Sequence, residues 1–388
     1  MRVWTRSLVP ILAGALLIST VGCGSAPAPQ AKAKIPITIG MAVGLTGYLA
    51  GFDGPVLSGA QLAVKEINAH GGVLGRPLKL IYIDMASNPQ QGVQAVDQLI
   101  TSDHVVALAN GFSSAGTAAE EPIAAQNQVP MVVASVVPPT DTWVFSTLPM
   151  ASFETGVRVD YLKAQHITTV GIIMDNTPYA ALLYAAAKPQ LQAAGIRIVD
   201  VESQSTTATD LRPQLSHMLS FNPGAVMKFG SGPTAVVVAK DLSQLGATVP
   251  LLLSIDSLTV FQQASQAYSH VFFAAAPPQV VNSLPASRRS TSLVDFTKLW
   301  TKTNPTEDPT NGGRGWDAIY LIAKAITKAN STKGSLIRAA FETMGPYQGT
   351  TGTYTYTSSN HYGLSANPMV LAKWGTNGPQ VVLYPPGS

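Results

Sequence analysis

Two short stretches of this chain carry residues whose types and spacing suit the binding or transformation of a small molecule. The first, Gly111-Phe112-Ser113-Ser114-Ala115-Gly116-Thr117, follows an apolar run and leads into a helical pattern. A helix starting there presents backbone N–H groups without intrahelical partners and a partial positive charge. Ser113, Ser114 and Thr117 add hydroxyls, so a carboxylate would be held without any Lys or Arg. The competing reading is a helix cap, in which a serine hydroxyl serves its own backbone. A nucleophilic serine is disfavoured, because Gly111-Phe112-Ser113-Ser114-Ala115 lacks the second glycine of a G-x-S-x-G elbow and no His and acid follow in convincing placement. The second stretch, Gly230-Ser231-Gly232-Pro233-Thr234-Ala235, satisfies G-x-G-x-x-A, with Asp256 standing where a ribose-binding acid would. Against a nucleotide-cofactor enzyme stand the stiff Pro233 and the first βα turn, where Gly44, Gly47 and Gly51 have the wrong spacing. Metal chemistry has less support still. His70, His104, His166, His217, His270 and His361 are scattered, without an H-x-x-x-H or H-E-x-x-H pairing.

The elements that must position these stretches alternate. Ile37 to Val43 is a short apolar run suited to a buried parallel strand, and a loop with Gly44, Gly47, Gly51 and Gly54 follows. From Pro55, the residues Val56, Ala60, Ala63, Val64 and Ile67 recur at helical spacing up to Gly71-Gly72, and Leu78 to Asp84 restores the strand. Residues 89 to 109 repeat the unit, and Ala118 to Gln126 with Met131 to Ala134 repeat it again. After a pause around Val144 to Pro149 a second series begins, with strands at Val170, Arg197, Ala225 and Leu251 separated by helical patterns. Such alternation predicts an α/β fold of two doubly wound parallel sheets, whose ligands sit at the carboxyl ends of the strands. From Val294 to Met344 helical patterns arrive without comparable strands. No solenoid-like repeat is present.

A chain of 388 residues with 46% apolar content has enough material for two cores. Charged residues are only 12% and the net charge is +3, without the Lys/Arg stripes that nucleic-acid binding requires. The only cysteine is Cys23, so no intrachain disulfide exists. Arg2 and Arg6 precede an apolar stretch from Leu8 to Val21 that ends in small residues before Cys23. This reads as a lipoprotein signal peptide over 1–22, a lipidated Cys23, and a Ser/Ala/Pro tether over 23–34. Thr20 departs from the leucine usual at its position. No later run is long enough for a membrane span. The expected location is therefore outside the cytoplasm, anchored by a lipid on Cys23.

The order of LTG, EINAHGG, GRPL and a strand ending at Asp84 resembles the first βαβ unit of the periplasmic-binding-protein type I family, in its leucine/isoleucine/valine-type branch of ABC-importer receptors. The blocks NPQQGVQAVDQLITSDHVVAL, SSAGTAAEEPIAAQNQVPMVVAS, TTVGIIMDNTPYA, NPGAVMKFGSGPTAVV and GTTGTYTY continue the likeness in order, over nearly all the chain after residue 34. The resemblance implies two lobes joined by a three-segment hinge: 35–148 with 278–345, and 149–277 with 346–388. The hinge would lie near Thr147–Pro149, Ala276–Pro278 and Gly345–Gly349.

The resemblance further implies a small-molecule ligand in the interlobe cleft and a membrane permease as partner, with no catalysis, no cofactor and no metal. Ser114 matches the serine that contacts the ligand's carboxylate, Phe52 an aromatic over the ligand, Tyr179 a contacting tyrosine, and Asp256 the acid that receives an ammonium group. Val137 stands where a threonine is usual and Ser231 where an aromatic is frequent, while Ser135 is placed to supply the missing donor. An apolar or branched-chain amino acid is the first expectation, and a carboxylic acid without the ammonium the second. A sensor or regulator of the same fold is the alternative to an importer component.

Overall fold

The computed structural model describes residues 34–135, 143–364 and 366–385. Cys23, the expected signal and tether up to residue 33, and Val137 lie outside them.

Each apolar run of the first series becomes a parallel strand, and each 3.6-periodic run a covering helix. The order is β1 (Ile37–Val43), α1 (Ala50–Ala69), β2 (Leu78–Asp84), α2 (Pro89–Thr101), β3 (Ala107–Asn110), α3 (Ser114–Gln126), β4 (Met131–Val133) and β5 (Val144–Ser146). The strands form one all-parallel sheet in the order β2-β1-β3-β4-β5, with Ile37 opposite Leu78 and Val43 opposite Asp84. β5 falls where the sequence pattern pauses. Three residues carry no readable period, and their pairing with Met131 to Val133 makes them a strand.

The second series runs α4 (Ala151–Ala164), β6 (Thr169–Asp175), α5 (Pro178–Ala193), β7 (Arg197–Gln204), α6 (Arg212–Ser220), β8 (Ala225–Phe229), α7 (Thr234–Gln244), β9 (Leu251–Leu253), α8 (Leu258–Ala267) and β10 (Val271–Ala275). The chain continues as α9 (Pro277–Val280), α10 (Thr291–Thr303), α11 (Pro309–Ala329) and α12 (Gly334–Thr343), then β11 (Tyr347–Gln348), β12 (Thr353–Tyr354), β13 (Val370–Gly375) and β14 (Gly378–Leu383). The second sheet has the order β14-β13-β10-β9-β8-β6-β7. It is parallel except at β13 and β14, which pair antiparallel with β10 and with each other. Two doubly wound lobes result, as expected.

Two boundaries differ from the sequence reading. Helix α1 begins at Ala50, so Gly51 and Gly54 are helical and Pro55 lies inside the helix rather than opening it. The buried Asp53 explains the early start: its carboxylate accepts from the amides of Gly44 (2.7 Å) and Phe112 (2.7 Å), pinning the first turn to two loops. Pro55 then forgoes a single backbone bond. The third crossing between lobes also falls later than Gly345–Gly349. Asp317 on α11 accepts from the Thr350 amide and hydroxyl, each at 2.9 Å, and the hydroxyls of Tyr354 and Tyr356 donate to Thr147 O and Ser146 O. Those bonds hold 347–364 against the first lobe, where Tyr354, Tyr356 and Leu364 join its core. The chain enters the second sheet only at Val370.

Helix α11 contains Gly312, Gly313 and Gly315, which weaken a helix interior by about 1 kcal/mol each relative to alanine. Packing accounts for all three, since a Cβ would meet the Trp300 ring at Gly312, Thr350 Oγ1 at Gly313 and the α1 backbone at Gly315. A Cβ on Gly315 would run into Val56 O of α1, and one on Gly59 of α1 into Gly312 O, so the two helices cross backbone to backbone. Phe296, Trp300, Trp316, Ile319 and Ile322 belong to the same first core as the residues of this crossing.

Candidate functional site

The loop after β3 is built from beneath by two buried acids. Asp53 receives the Phe112 amide, and Asn110 donates to Glu120 Oε2 (2.8 Å) while accepting the Ala42 amide (2.9 Å). Burial pushes the carboxyl of Asp53 up to about 6 and that of Glu120 to about 7. Ser113 is the N-cap of α3, its hydroxyl accepting the Gly116 amide at 2.9 Å. Capping therefore falls to Ser113, which leaves Ser114 free for another partner. Ser114 is the exposed first residue of the helix, and its Oγ lies 3.1 Å from the Oγ of buried Ser135 at the end of β4. Two hydroxyls thus converge beside the open amides of a helix N-terminus.

Phe52, 38% exposed on α1, stacks on Phe112 at 5.3 Å between centroids. The guanidinium of Arg314, from α11, lies over the same Phe112 ring at 5.3 Å.

The second lobe contributes a group centred on Glu154, in the first turn of α4. Its carboxylate accepts from the Tyr179 hydroxyl (2.6 Å) and the Ile255 amide (3.0 Å), with Arg158 Nη2 at 3.5 Å. Tyr179 sits in the first turn of α5 behind the Thr177 cap. Burial, reinforced by Glu154, raises its hydroxyl well above the ordinary range, so it remains a proton donor. Ser231 Oγ donates to Ile255 O (3.1 Å). Asp256 ties neighbouring turns together, accepting the Gly232 amide (2.6 Å) and the Ser257 amide (2.8 Å). Burial pushes its carboxyl up to about 6 against the pull of those amides.

The structure thus gathers Tyr179, Ser231 and Asp256 around Glu154 and Ile255, and Ser114 with Ser135; Phe52 meets Phe112 on the first lobe. The two groups are electrically in reach of each other, since Tyr179 and Glu154 both act on the buried guanidinium of Arg314. Two of these participants, Glu154 and Arg314, escaped the sequence reading. Arg314 stands between Gly313 and Gly315 in a segment that also carries Thr310, Asn311 and Asp317, so no local pattern singles it out.

The Gly230–Ala235 loop is a poor cradle for a pyrophosphate. Gly230 (φ 102°) and Gly232 (φ 98°) give it a glycine turn, yet the Gly232 amide is spent on the Asp256 carboxylate. A phosphate there would meet a negative charge in place of a free donor. Beneath the loop, Lys228 and Asp175 form a fully buried ion pair at 2.9 Å. Away from the cleft, His217 Nδ1 lies 3.0 Å from Glu202 and 3.6 Å from Asp200, a proximity across β7 and α6 that sequence spacing hid.

The sequence matches the model of a periplasmic binding protein family over residues 36–379. It is 26% identical over 372 residues to Leu/Ile/Val-binding protein homolog 3 of Brucella melitensis, covering 94% of this chain and 96% of the relative. It is 30% identical over 242 residues to Leu/Ile/Val-binding protein BraC3 of Rhizobium johnstonii, covering 61% and 65%. Among solved structures, an extracellular ligand-binding receptor from Rhodopseudomonas palustris superposes with a TM-score of 0.77 at 20% identity, over 89% of this chain and 99% of that one. The substrate-binding protein LivJ of Streptococcus pneumoniae, in complex with isoleucine, superposes with a TM-score of 0.74 at 20% identity, over 90% and 100%. These structures share its fold.

Proposed function

The chain belongs to the periplasmic binding proteins, and from that premise we propose that it is an extracytoplasmic receptor that holds a small carboxylate between its lobes. The ligand class is an apolar or branched-chain amino acid or a related acid. No chemistry is done on it, and the receptor hands it to an ABC-type permease in the membrane. The relatives named for leucine, isoleucine and valine support the ligand class. The observation that carries the reading is Ser114: its neighbour Ser113 performs the capping, while Ser114 pairs with Ser135 beside the open N-terminus of α3.

The test begins with thermal-shift screening against amino acids, aromatic acids, amides and polyamines, because a ligand that binds only the folded state raises its melting temperature by mass action. Ser114→Ala is then expected to weaken the ligand so found. A hydrogen bond to a charged group contributes roughly 1.5–3 kcal/mol, which corresponds to about one to two orders of magnitude in dissociation constant. An unchanged constant by calorimetry would show that Ser114 touches no ligand.

We propose in addition that Cys23 carries a lipid. Cys23→Ser is expected to move the protein from the membrane fraction to the soluble one with ligand affinity intact, since the substitution lies beyond the tether. Membrane partitioning that does not change sinks the anchor.

A further inference from the structure

Arg314 is 4% exposed, and among the described residues its guanidinium donates one hydrogen bond, from Nη1 to Asn311 Oδ1 at 2.7 Å. Its Nε is buried with no partner at all. A guanidinium presents five N–H donors, and buried cations are normally paired with a carboxylate. The Phe112 face beneath it offers a weak electrostatic contact that satisfies none of those donors. An unfilled cationic fork at this depth therefore calls for an anion from elsewhere.

Its surroundings name the place. Phe112 leads directly into Ser113 and Ser114, so the free fork and the open N-terminus of α3 flank one short loop, and both attract negative charge. The carboxylates that would receive an ammonium group are already engaged. Glu154 accepts from Tyr179, Ile255 and Arg158, and Asp256 from two backbone amides. Asp308 accepts from Leu258, Gln279 and Thr310. Among the described residues, Arg314 thus has no carboxylate within hydrogen-bond distance, Asp308 and Glu154 acting on its charge only from farther away, while Glu154, Asp256 and Asp308 each already accept hydrogen bonds.

We propose that Arg314 and the N-terminus of α3 form one anion subsite, and that the ligand is a small carboxylate of net negative charge, lacking the ammonium group of an amino acid. This rests on the carboxylate-receptor reading above and narrows it. Asn311 orients the fork through Nη1, Ser114 and Ser135 complete the donors, and the Phe52–Phe112 pair supplies an apolar wall for the body of the acid.

Leucine and 4-methyl-2-oxopentanoate are the discriminating probes, since they share carbon skeleton and carboxylate and differ in ammonium against carbonyl. Calorimetry on the wild-type chain is expected to show the oxo acid binding at least about tenfold tighter, as one lost charge-assisted contact would give. Arg314→Gln is expected to weaken the oxo acid by about ten- to a hundredfold, with Arg314→Lys between the two, because lysine keeps the charge and loses the fork. Should Arg314→Gln fail to fold, the wild-type comparison stands alone. Leucine binding as tightly as the oxo acid overturns the inference while leaving the receptor reading intact. A folded Arg314→Gln with unchanged affinity does the same. Binding of neither probe, nor of any straight-chain, branched or aromatic monocarboxylate, overturns the receptor reading and the inference with it.

Discussion

Asp175→Leu is expected to destabilise the protein by roughly 3–5 kcal/mol, the usual consequence of leaving one partner of a buried ion pair unpaired. The Lys228 side chain is fully buried and that of Asp175 is 1% exposed, with Nζ to Oδ2 at 2.9 Å. Asp175 also receives Gln204 Nε2 (2.7 Å) and Thr234 Oγ1 (3.1 Å), so the carboxylate is the hub of a network under the Gly230 loop. Burial already pulls the Lys228 ammonium below its usual range, and Asp175 is the main group opposing that pull. Without the carboxylate the lysine in the fold sheds its proton more easily still, while in the unfolded chain it keeps the ordinary value of about 10.4. Between those two values the unfolded state binds the extra proton, so the stability of Asp175→Leu is expected to rise with pH toward about 10. Adding Lys228→Met should restore most of the loss, since a well-packed apolar pair replaces the ions. Urea titrations of the singles and the double at several pH values check both points. If the double loses the sum of the singles, the network rather than the charge pair is what matters there.

Gly315→Val is expected to cost about 3 kcal/mol or more, at the upper end of overpacking effects, because the obstruction is backbone. A Cβ at this position would run into Val56 O, and the nearby Ala60 N (3.1 Å) blocks retreat along α1. Helices α1 and α11 would have to separate, loosening the packing of Trp316 and Ile319 beside them. Gly51→Ala supplies the matched control. It is also helical, has open space where a Cβ would go, and has no positive φ, so alanine should be neutral or stabilise by up to about 1 kcal/mol. Denaturation midpoints that are equal for the two variants would show that the helix crossing is not close-packed.

Much of the architecture was legible in the chain because it is written in local periods. Apolar runs at Ile37–Val43, Ala225–Phe229 and Leu251–Leu253 are bounded by glycine and proline, and the segments between them repeat every three to four residues. Each such pattern fits one element, and strands alternating with helices leave a parallel sheet with helices on both faces as the outcome. The α3 loop was legible for the same reason, since a small-residue turn before a helix is a local signal of open amides.

Tertiary structure decided whatever depends on partners far along the chain. Asp53 sets the start of α1 through Phe112, 59 residues away, overriding the local preference of Pro55 for a first turn. Asp317 sets where the chain leaves the first lobe through Thr350, 33 residues away. Which serine is the cap and which is free was undecidable from two adjacent identical residues, and the Gly116 amide settles it in favour of Ser113 as cap. Arg314 and Glu154 carry no local mark in the sequence, and only the packing of α11 over Phe112 and of α4 beneath Tyr179 buries them. A local period reports which face of an element is apolar. Burial of a charge, and whether it finds a partner there, is a property of the assembled lobes, because desolvation depends on everything that surrounds the group.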